Sequence, residues 1–283
     1  MLQDIHPHTL DNAYRQAVYD AHDHLLCYRD HAVLLKKEGD AYAFVSAGML
    51  ELSAEDVVYL FDIDQVNCFA VYDRSKIPQA IPAGCEWVSI HEMRNLQQTE
   101  VAWACVVGMH IMQGYWLKSF CGRCGGKTRP KEDERAVVCT SCAAVVYPRI
   151  SPAVITLVLD GDRLLLVRGK NFHGTFYSLV AGYVDVGETI EEAVSREICE
   201  EVGLTVSHIT YYKSQPWPFS SSLMIGCFAK AETTDIQIDY SELEDAQWFD
   251  RDHLPELSSS VSIAGSMIRD YLEGRVHFDW MDA

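Results

Sequence analysis

The first ninety residues alternate short apolar runs with polar turns. Apolar runs at residues 31–36 and 42–45 flank the turn Glu38-Gly39-Asp40, and this spacing predicts a β-hairpin. Further strands are predicted at residues 57–60, 68–72 and 86–90. The pattern indicates a β-rich N-terminal domain, and no cluster of residues in it points to a chemical function.

Apolar residues then recur at helical spacing between Met93 and Leu117. The stripe consists of Leu96, Val101, Ala104, Cys105, Gly108, Ile111, Met112 and Tyr115. This periodicity predicts a long helix that links the N-terminal domain to the rest of the chain. The aromatic residues of this segment fit a buried helix face, with a partner surface as the alternative.

The second half of the chain predicts a mixture of strands and helices. Residues 153–159 and 163–167 flank the turn Asp160-Gly161-Asp162 and predict a hairpin. Further strands are predicted at residues 176–180, 209–213, 224–229 and 248–249. Between them, an amphipathic helix is expected to begin near Thr189 and to end at Gly203, a residue suited to a left-handed C-terminal cap.

Composition fits a soluble globular protein. The chain has 283 residues, of which 48% are hydrophobic and 23% charged, enough for two domains. No run approaches the roughly 18 to 20 apolar residues that a membrane span requires, and the start of the chain does not resemble a signal peptide. We therefore expect a cytoplasmic protein with no membrane partner.

The formal net charge of -18 disfavours wrapping of duplex nucleic acid by overall charge. If the substrate is nevertheless anionic, positive charge must be supplied locally, and bound divalent cations are the obvious source.

Four of the ten cysteines form two close pairs. They are Cys121, Cys124, Cys139 and Cys142. Two CxxC knuckles separated by a charged hairpin predict a closed, structural zinc site, with a redox or disulfide pair as the alternative. The segment 131–135 is mixed in charge, so a scaffold is favoured over a nucleic-acid-binding ribbon. The other six cysteines are interpreted as small buried hydrophobes.

Three glutamates on the helix 189–203 are candidates for binding a cation. Glu197, Glu200 and Glu201 lie at positions i, i+3 and i+4, so their carboxylates repel one another on one side of the helix. Mg²⁺ or Mn²⁺ prefers such oxygen ligands and takes substrate phosphates as further ligands. A solvated acidic face is the alternative. Glu188 at the helix start and Arg196 favour an organised site.

This stretch resembles the Nudix box, G-x5-E-x7-R-E-U-x-E-E-x-G-U with U apolar. The specified positions are filled by Gly182, Glu188, Arg196, Glu197, Ile198, Glu200, Glu201, Gly203 and Leu204. The resemblance implies an α/β/α sandwich with a mixed sheet, within the α/β class. It also implies hydrolysis of a nucleoside diphosphate linked to another moiety.

A second motif resembles the signature SQPWPFPxS of the NADH pyrophosphatases, a branch that also carries a four-cysteine zinc ribbon. Here it reads Ser214-Gln215-Pro216-Trp217-Pro218-Phe219, and Ser220 stands where the signature has proline. The two prolines predict a rigid extended loop beyond a strand, with aromatic faces and hydrogen-bonding side chains for a ribose or base. The domains expected are 1–118, β-rich with the linker helix, 119–149, the zinc ribbon, and 150–283, the catalytic domain.

The resemblance assigns roles to individual residues. It implies structural zinc on the four cysteines. It implies catalytic Mg²⁺ or Mn²⁺ bound by Glu197, Glu201, Glu242 and the Ala181 carbonyl. Glu200, Arg196 and Glu188 complete the implied catalytic group. Substrate contacts are implied for Tyr147, Tyr183, Gln215, Pro216, Trp217, Pro218, Phe219, Ser220, Ser221, Ser222, Ala264 and Arg94.

The reaction implied is hydrolysis of the pyrophosphate of NADH or NAD⁺ to nicotinamide mononucleotide and AMP. An NAD cap at the 5′ end of RNA is the alternative substrate, as are other nucleoside diphosphate derivatives. A non-catalytic nucleotide sensor is disfavoured because the box retains every acid. The resemblance also implies a homodimer in which Tyr147 reaches the neighbouring subunit's site.

Overall fold

The structure, a computed structural model, describes residues 1–170 and 174–282. The chain forms two compact units: residues 2–149, and the residues from Ile150 onward together with Met1. The further division of the first unit at residue 118 stays a prediction. No helix of the described residues is long and apolar enough to cross a bilayer.

Two sheets make up most of the first unit. The strands are β1 (Leu10–Asp11), β2 (His24–Leu26), β3 (Tyr28–Arg29), β4 (Ala32–Glu38), β5 (Ala41–Ala43), β6 (Val45–Ser46), β7 (Val57–Ile63), β8 (Val66–Val71) and β9 (Cys85–Ser89). One sheet has the order β1-β7-β8-β2-β6, and in the other β4 pairs with β3, β5 and β9. The predicted hairpin is formed by β4 and β5.

The helix α1 spans Thr99–Trp116. It begins six residues after Met93, where the predicted helical segment starts, because Ile90–Asn95 form a separate 3-10 helix. Trp103 and Tyr115 are buried, and the indole of Trp116 donates to the carbonyl of Tyr72. These aromatic residues therefore belong to the core of their unit, as expected.

The segment after α1 contains three short strands, β10 (Thr128–Pro130), β11 (Val137–Cys139) and β12 (Val145–Val146). They form one antiparallel sheet. Strands this short bury little apolar surface, so this segment requires another source of stability.

A six-stranded sheet forms the second unit. Its elements are β13 (Ser151–Asp160), β14 (Arg163–Gly169), β15 (Val180–Tyr183), α2 (Ile190–Val202), β16 (Val206–Trp217), β17 (Ser222–Ala231), β18 (Leu243–Asp250) and α3 (Ile263–Leu272). The strand order is β16-β17-β13-β14-β18, and β15 pairs with β13. Because β13 and β17 are parallel and the other pairs antiparallel, the sheet is mixed.

Alternation along the central strands divides the core into two layers. Val154 and Val158 of β13 pack in the cluster that includes the apolar face of α2. Ile155 and Leu157 pack in the cluster that includes α3. Successive side chains of a strand point to opposite faces, so the sheet lies between the two helices. This confirms the expected α/β/α sandwich with a mixed sheet.

Two local predictions in this unit are wrong. Residues 176–180 do not form one strand, since Tyr177 and Ser178 make isolated bridges and β15 begins only at Val180. The SQPWPF segment is not a loop beyond a strand. Edge strand β16 continues to Trp217, and Pro218–Ser220 form a 3-10 turn. Prolines are compatible with an edge strand, whose outer N–H groups have no ladder partner.

Candidate active site

Local sequence signals position helix α2. Thr189 accepts a hydrogen bond from the Glu192 amide, and the Glu192 carboxylate accepts one from the Thr189 amide, forming a capping box. Gly203 ends the helix at φ 69°, and its amide donates to the Cys199 carbonyl. The glutamates between these two caps are therefore held in fixed register.

Arg196 is the centre of an ion-pair network. Its guanidinium donates to both oxygens of Glu188, at 2.5 and 2.9 Å. It also donates to Glu197 at 2.7 Å, to Glu200 at 2.9 Å and to the carbonyl of Tyr183 at 2.9 Å. The bidentate bond to Arg196 and an amide bond from Asp185 lower the pKa of Glu188 to about 2. Arg196 thus joins the loop before α2 to the acids of the helix.

Glu197 is packed tightly against the backbone of β15. A Cβ atom added to Gly182 would lie only 1.9 Å from the Glu197 Cδ atom. Burial raises the pKa of Glu197 against the opposing effect of Arg196, and the charges of Glu200 and Glu242 raise it further. Only glycine at position 182 leaves room for this carboxylate.

Glu201 is the most deeply buried acid of the set, with 6% of its surface exposed. Burial raises its pKa to about 8, and the charges of Glu197, Glu242 and Asp239 add to this effect. The amide of Ala181 donates a hydrogen bond to its carboxylate. Burying a charged carboxylate close to other carboxylates is unfavourable unless a cation joins them.

The carboxylates of Glu197, Glu201 and Glu242 are chemically suited to a divalent cation. Their ligand atoms lie farther apart than those of a closed metal site. Among the described residues, only the four paired cysteines form a group of three or more potential ligands whose atoms all lie within 4.8 Å of one another. At least one pair among Glu197, Glu201 and Glu242 is therefore farther apart. Their oxygen atoms are nevertheless the ligand type that Mg²⁺ and Mn²⁺ prefer.

A cleft of about 600 Å³ lies in front of these acids. It is lined by Ala153, Ala181, Gly182, Tyr183, Asp185, Arg196, Glu197, Glu200, Trp217, Ser220, Ser222, Met224 and Glu242. Tyr183 is exposed, and its hydroxyl lies 3.4 Å from that of Ser222. The lining of the cleft thus combines carboxylates with the aromatic residues Tyr183 and Trp217, and its volume is within the size range of ligand sites.

The SQPWPF segment contributes only part of its predicted contacts. Trp217, Ser220 and Ser222 line the cleft, and Phe219 supports Trp217 with ring centroids 4.9 Å apart. Ser221 forms the left-handed turn after the 3-10 helix. Pro216 is exposed outside the cleft lining, whereas Pro218 is buried.

Gln215 differs most clearly from its predicted role. Its side chain is fully buried, and its amide donates to the carbonyl of Val261 and accepts from the amide of Ile263. It therefore fastens β16 to the start of α3 rather than facing a ligand.

Three other predicted substrate contacts lie elsewhere. Ala264 lies on the face of α3 that packs on the sheet, and only 2% of its surface is exposed. Tyr147 and Arg94 belong to the first unit, where the exposed Tyr147 donates to Glu134. Burial lowers the pKa of Arg94. Substrate contacts of these two residues stay predictions.

The four paired cysteines form the compact cluster that their spacing predicts. The Sγ atoms of Cys121 and Cys142 are 3.7 Å apart, and those of Cys124 and Cys139 are 3.5 Å apart. Backbone amides within the knuckles lower the pKa of Cys139 to about 6 and also lower that of Cys121. Thiolates in this arrangement fit a closed zinc site. Of the six other cysteines, Cys199 is exposed, so its predicted burial is wrong.

Several residues of the cleft carry no sequence signal of their own. Asp185 donates its amide to Glu188, and Ala153 and Met224 reach the cleft from β13 and β17. The amide of Asp239 donates to the Glu201 carbonyl and so joins the segment before β18 to α2. The alternation of side chains along the predicted strands could have indicated which face of the sheet Ala153 and Met224 occupy. It could not have indicated which end of the sheet holds the cleft.

Comparison with known proteins agrees with these features. Residues 149–271 match the family model of the NUDIX domain, and residues 118–147 match the NADH pyrophosphatase zinc ribbon domain. The NAD-capped RNA hydrolase NudC of Stutzerimonas stutzeri is 38% identical over 77% of this chain and 75% of that protein. The protein of the same name from Haemophilus influenzae is 40% identical over 66% and 72%. A crystal structure of a NUDIX hydrolase from Nitrosomonas europaea, 24% identical, covers 56% of this chain and 92% of that one with a TM-score of 0.49.

Proposed function

The chain belongs to the Nudix hydrolases, and from this membership we propose that it hydrolyses the pyrophosphate bond of NAD(H), giving nicotinamide mononucleotide and AMP. The observation that carries the proposal is the buried Glu201 and its partly buried neighbour Glu197, which repel each other beside a cleft with two aromatic residues. A dinucleotide offers the complementary parts, a diphosphate and two flat bases.

Glu197, Glu201 and Glu242 would hold the divalent cations, and the Ala181 carbonyl is a further proposed ligand. Bound there, such cations lower the pKa of a water molecule and neutralise the diphosphate. Arg196 orients Glu197 and Glu200, and Glu188 fixes Arg196 from its other side. The Ala181 amide orients the Glu201 carboxylate. These contacts define the geometry before the substrate arrives, which favours catalysis.

Tyr183 and Trp217 are the proposed partners for the bases. Both line the same cleft as the acids, and Phe219 fixes one side of the Trp217 ring. Stacking of a flat base on such a ring contributes about 1–3 kcal/mol. Ser220 and Ser222, whose hydroxyl oxygens lie 2.9 Å apart, offer hydrogen bonds at the same wall.

NAD-capped RNA is the second candidate substrate. Both named relatives are NAD-capped RNA hydrolases, and the cap presents the same pyrophosphate. The exposed positions of Tyr183 and Glu200 at the cleft leave space for a nucleotide chain. The net charge of -18 opposes the approach of a polyanion, so free NAD(H) remains the first choice.

We further propose a cytoplasmic homodimer, in which the exposed Tyr147 contacts the site of the neighbouring subunit. Light scattering of the purified protein tests the dimer. If Tyr147→Phe and Tyr147→Ala leave both the KM for NADH and the dimer mass unchanged, this role of Tyr147 is wrong.

The central test uses purified protein with NADH, ADP-ribose, diadenosine polyphosphates and NAD-capped RNA, with and without Mg²⁺ or Mn²⁺. We expect cation-dependent release of AMP from NADH, nearly abolished in Glu201→Gln. Glu244→Gln is the matched control, because this exposed acid lies outside the cleft and pairs with Arg168. Full activity of Glu201→Gln would contradict the proposed site.

A further inference from the structure

A second cavity lies in the catalytic unit, at the far end of the sheet from the cleft of the acids. It has a volume of about 370 Å³ and includes Leu159 of β13 and Lys230 of β17 in its lining. The catalytic cleft touches β13 at Ala153, six residues earlier, which corresponds to roughly 20 Å along a strand. The two cavities are therefore separate sites on one sheet.

Cationic side chains and an apolar floor meet in this cavity. Lys230 and Arg251 are the cations among the lining residues, and Asp162 is the acid among them. Leu159 and Val276 add apolar surface. Such a local excess of positive groups contrasts with the net charge of -18 for the whole chain.

The surroundings of Lys230 favour binding of an anion next to its ammonium group. It is half-buried and pairs in register with Leu159, on the strand that places Phe228 in the core beneath α3. Among the described residues, no carboxylate lies within ion-pair distance of its ammonium group. A half-buried cation without a carboxylate partner gains free energy when an anion binds.

Arg251 is held rigidly beside Lys230 in the lining. One of its terminal nitrogens donates to the carbonyls of Tyr271 and Leu272, at 3.3 and 3.1 Å, and its guanidinium lies 4.7 Å from the Tyr271 ring centroid. Its other terminal nitrogen lies 3.9 Å from the carboxylate of Asp162, which is 91% exposed. This second terminal nitrogen can donate a single charge-assisted hydrogen bond to a phosphate oxygen in place of its contact with the exposed Asp162 side chain.

The C-terminal wall of the cavity is fixed by its own contacts. The rings of Phe278 and Trp280 are stacked with centroids 5.8 Å apart, and the Trp280 indole donates to the Thr210 hydroxyl at 3.1 Å. A preformed wall lowers the entropy cost of binding a ligand.

We propose that this cavity is a second ligand site, which binds a small organic phosphate monoester. The phosphate lies between Lys230 and Arg251, and the organic part packs against Leu159 and Val276. The volume is at the lower end of the range for small-molecule sites, which suits a mononucleotide or a sugar phosphate rather than a dinucleotide. The proposal does not depend on the reaction at the other end of the sheet.

Calorimetric titration of the zinc-loaded full chain in buffer without Mg²⁺ or Mn²⁺ tests this site, since the acidic cleft without cations repels phosphates. The probes are AMP, ribose 5-phosphate and inorganic phosphate. We expect saturable binding of at least one ester, with inorganic phosphate at least tenfold weaker because it lacks contacts to the apolar floor.

Lys230→Gln is expected to weaken binding of that ester at least tenfold, and Arg251→Gln is expected to do the same. Lys127→Gln makes the same charge change at an exposed position of the other unit and should leave the Kd unchanged. Because Arg251 also holds the end of α3, Lys230→Gln is the decisive variant. Absence of ester binding, equal affinity for inorganic phosphate, or an unchanged Kd in Lys230→Gln each overturns the proposal.

Discussion

At the scale of single residues, the site depends on close approach between a glycine and a carboxylate. Gly182 leaves room for Glu197, and Arg196 holds that carboxylate from the other side. The motif identified all three residues, but the reason for the glycine is visible only in the structure. Because Gly182 has no side chain, the carboxyl group of Glu197 on α2 can pack directly against the backbone of β15.

Gly182→Ala is expected to reduce kcat for NADH by roughly a hundredfold or more, because the new Cβ must displace the Glu197 carboxylate by more than 1 Å. Steady-state kinetics at saturating Mn²⁺ measures this effect. Gly122→Ala is the control, since its Cβ would meet no atom within 4 Å and its φ is not in the left-handed region. Equal kcat values for the two variants would count against the tight packing.

Glu201→Gln is expected to stabilise the zinc-loaded protein in the absence of Mg²⁺ and Mn²⁺, while abolishing catalysis. The pKa of Glu201 in the folded protein, about 8, lies above the ordinary value of 4.5. Its favourable contribution is therefore complete below the unfolded-state pKa of 4.5 and is lost as pH rises towards 8. At pH 8 the gain in unfolding free energy should reach on the order of 3 kcal/mol, and near pH 4.5 it should vanish.

Thermal unfolding at several pH values measures this difference. Glu200→Gln serves as control, because it makes the same substitution at a side chain that is 60% exposed. A constant Tm difference between Glu201→Gln and the parent protein from pH 5 to 8 would show that Glu201 is not buried as a charge. Addition of Mg²⁺ should raise the Tm of the parent more than that of Glu201→Gln.

At the scale of elements, one strand and the start of a helix are joined by one buried side chain. Gln215 binds the backbone of Val261 and Ile263, so it connects β16, which ends at Trp217, to α3. From the sequence, Gln215 has the appearance of a ligand-binding residue within an aromatic motif. Its role in the structure depends on which face of edge strand β16 it occupies. Pro216 and Pro218 obscured the alternation of inward and outward side chains from which that face could have been predicted.

Gln215→Leu is expected to lower the unfolding free energy by about 2–4 kcal/mol, because it leaves the Val261 carbonyl and the Ile263 amide without their buried partner. Urea unfolding measures the loss. Pro216→Ala, on the exposed side of the same strand, should change stability by less than about 1 kcal/mol. If Gln215→Leu raises the KM without changing stability, the residue contacts substrate after all.

At the scale of the whole molecule, the sheet of the second unit and the segment of strands β10 to β12 have different sources of stability. The sheet from β13 to β18 has a core on each face, whereas the strands β10 to β12 are two or three residues long. The short strands surround four cysteines, so the zinc ion supplies the stability that burial does not.

Cys139→Ser is expected to accelerate hydrogen exchange across residues 119–147 and to leave the sheet of the second unit protected. Loss of one of four zinc ligands removes most of the binding free energy that orders the knuckles. Exchange measured by mass spectrometry of the full chain resolves the two regions. Cys199→Ser, at an exposed cysteine of α2, should leave exchange in 119–147 unchanged, and the same exchange pattern in both variants would contradict a structural zinc.

The sequence by itself determined the caps of α2, the spacing of its acids, the two cysteine knuckles and most strands, because these features depend on neighbours a few residues away. Tertiary structure alone decided that Glu201 is buried while Glu200 is exposed, that Gln215 and Ala264 face the core, and which strand residues meet in the cleft. Burial and electrostatic coupling arise between segments distant along the chain, and a local pattern does not encode where those segments meet.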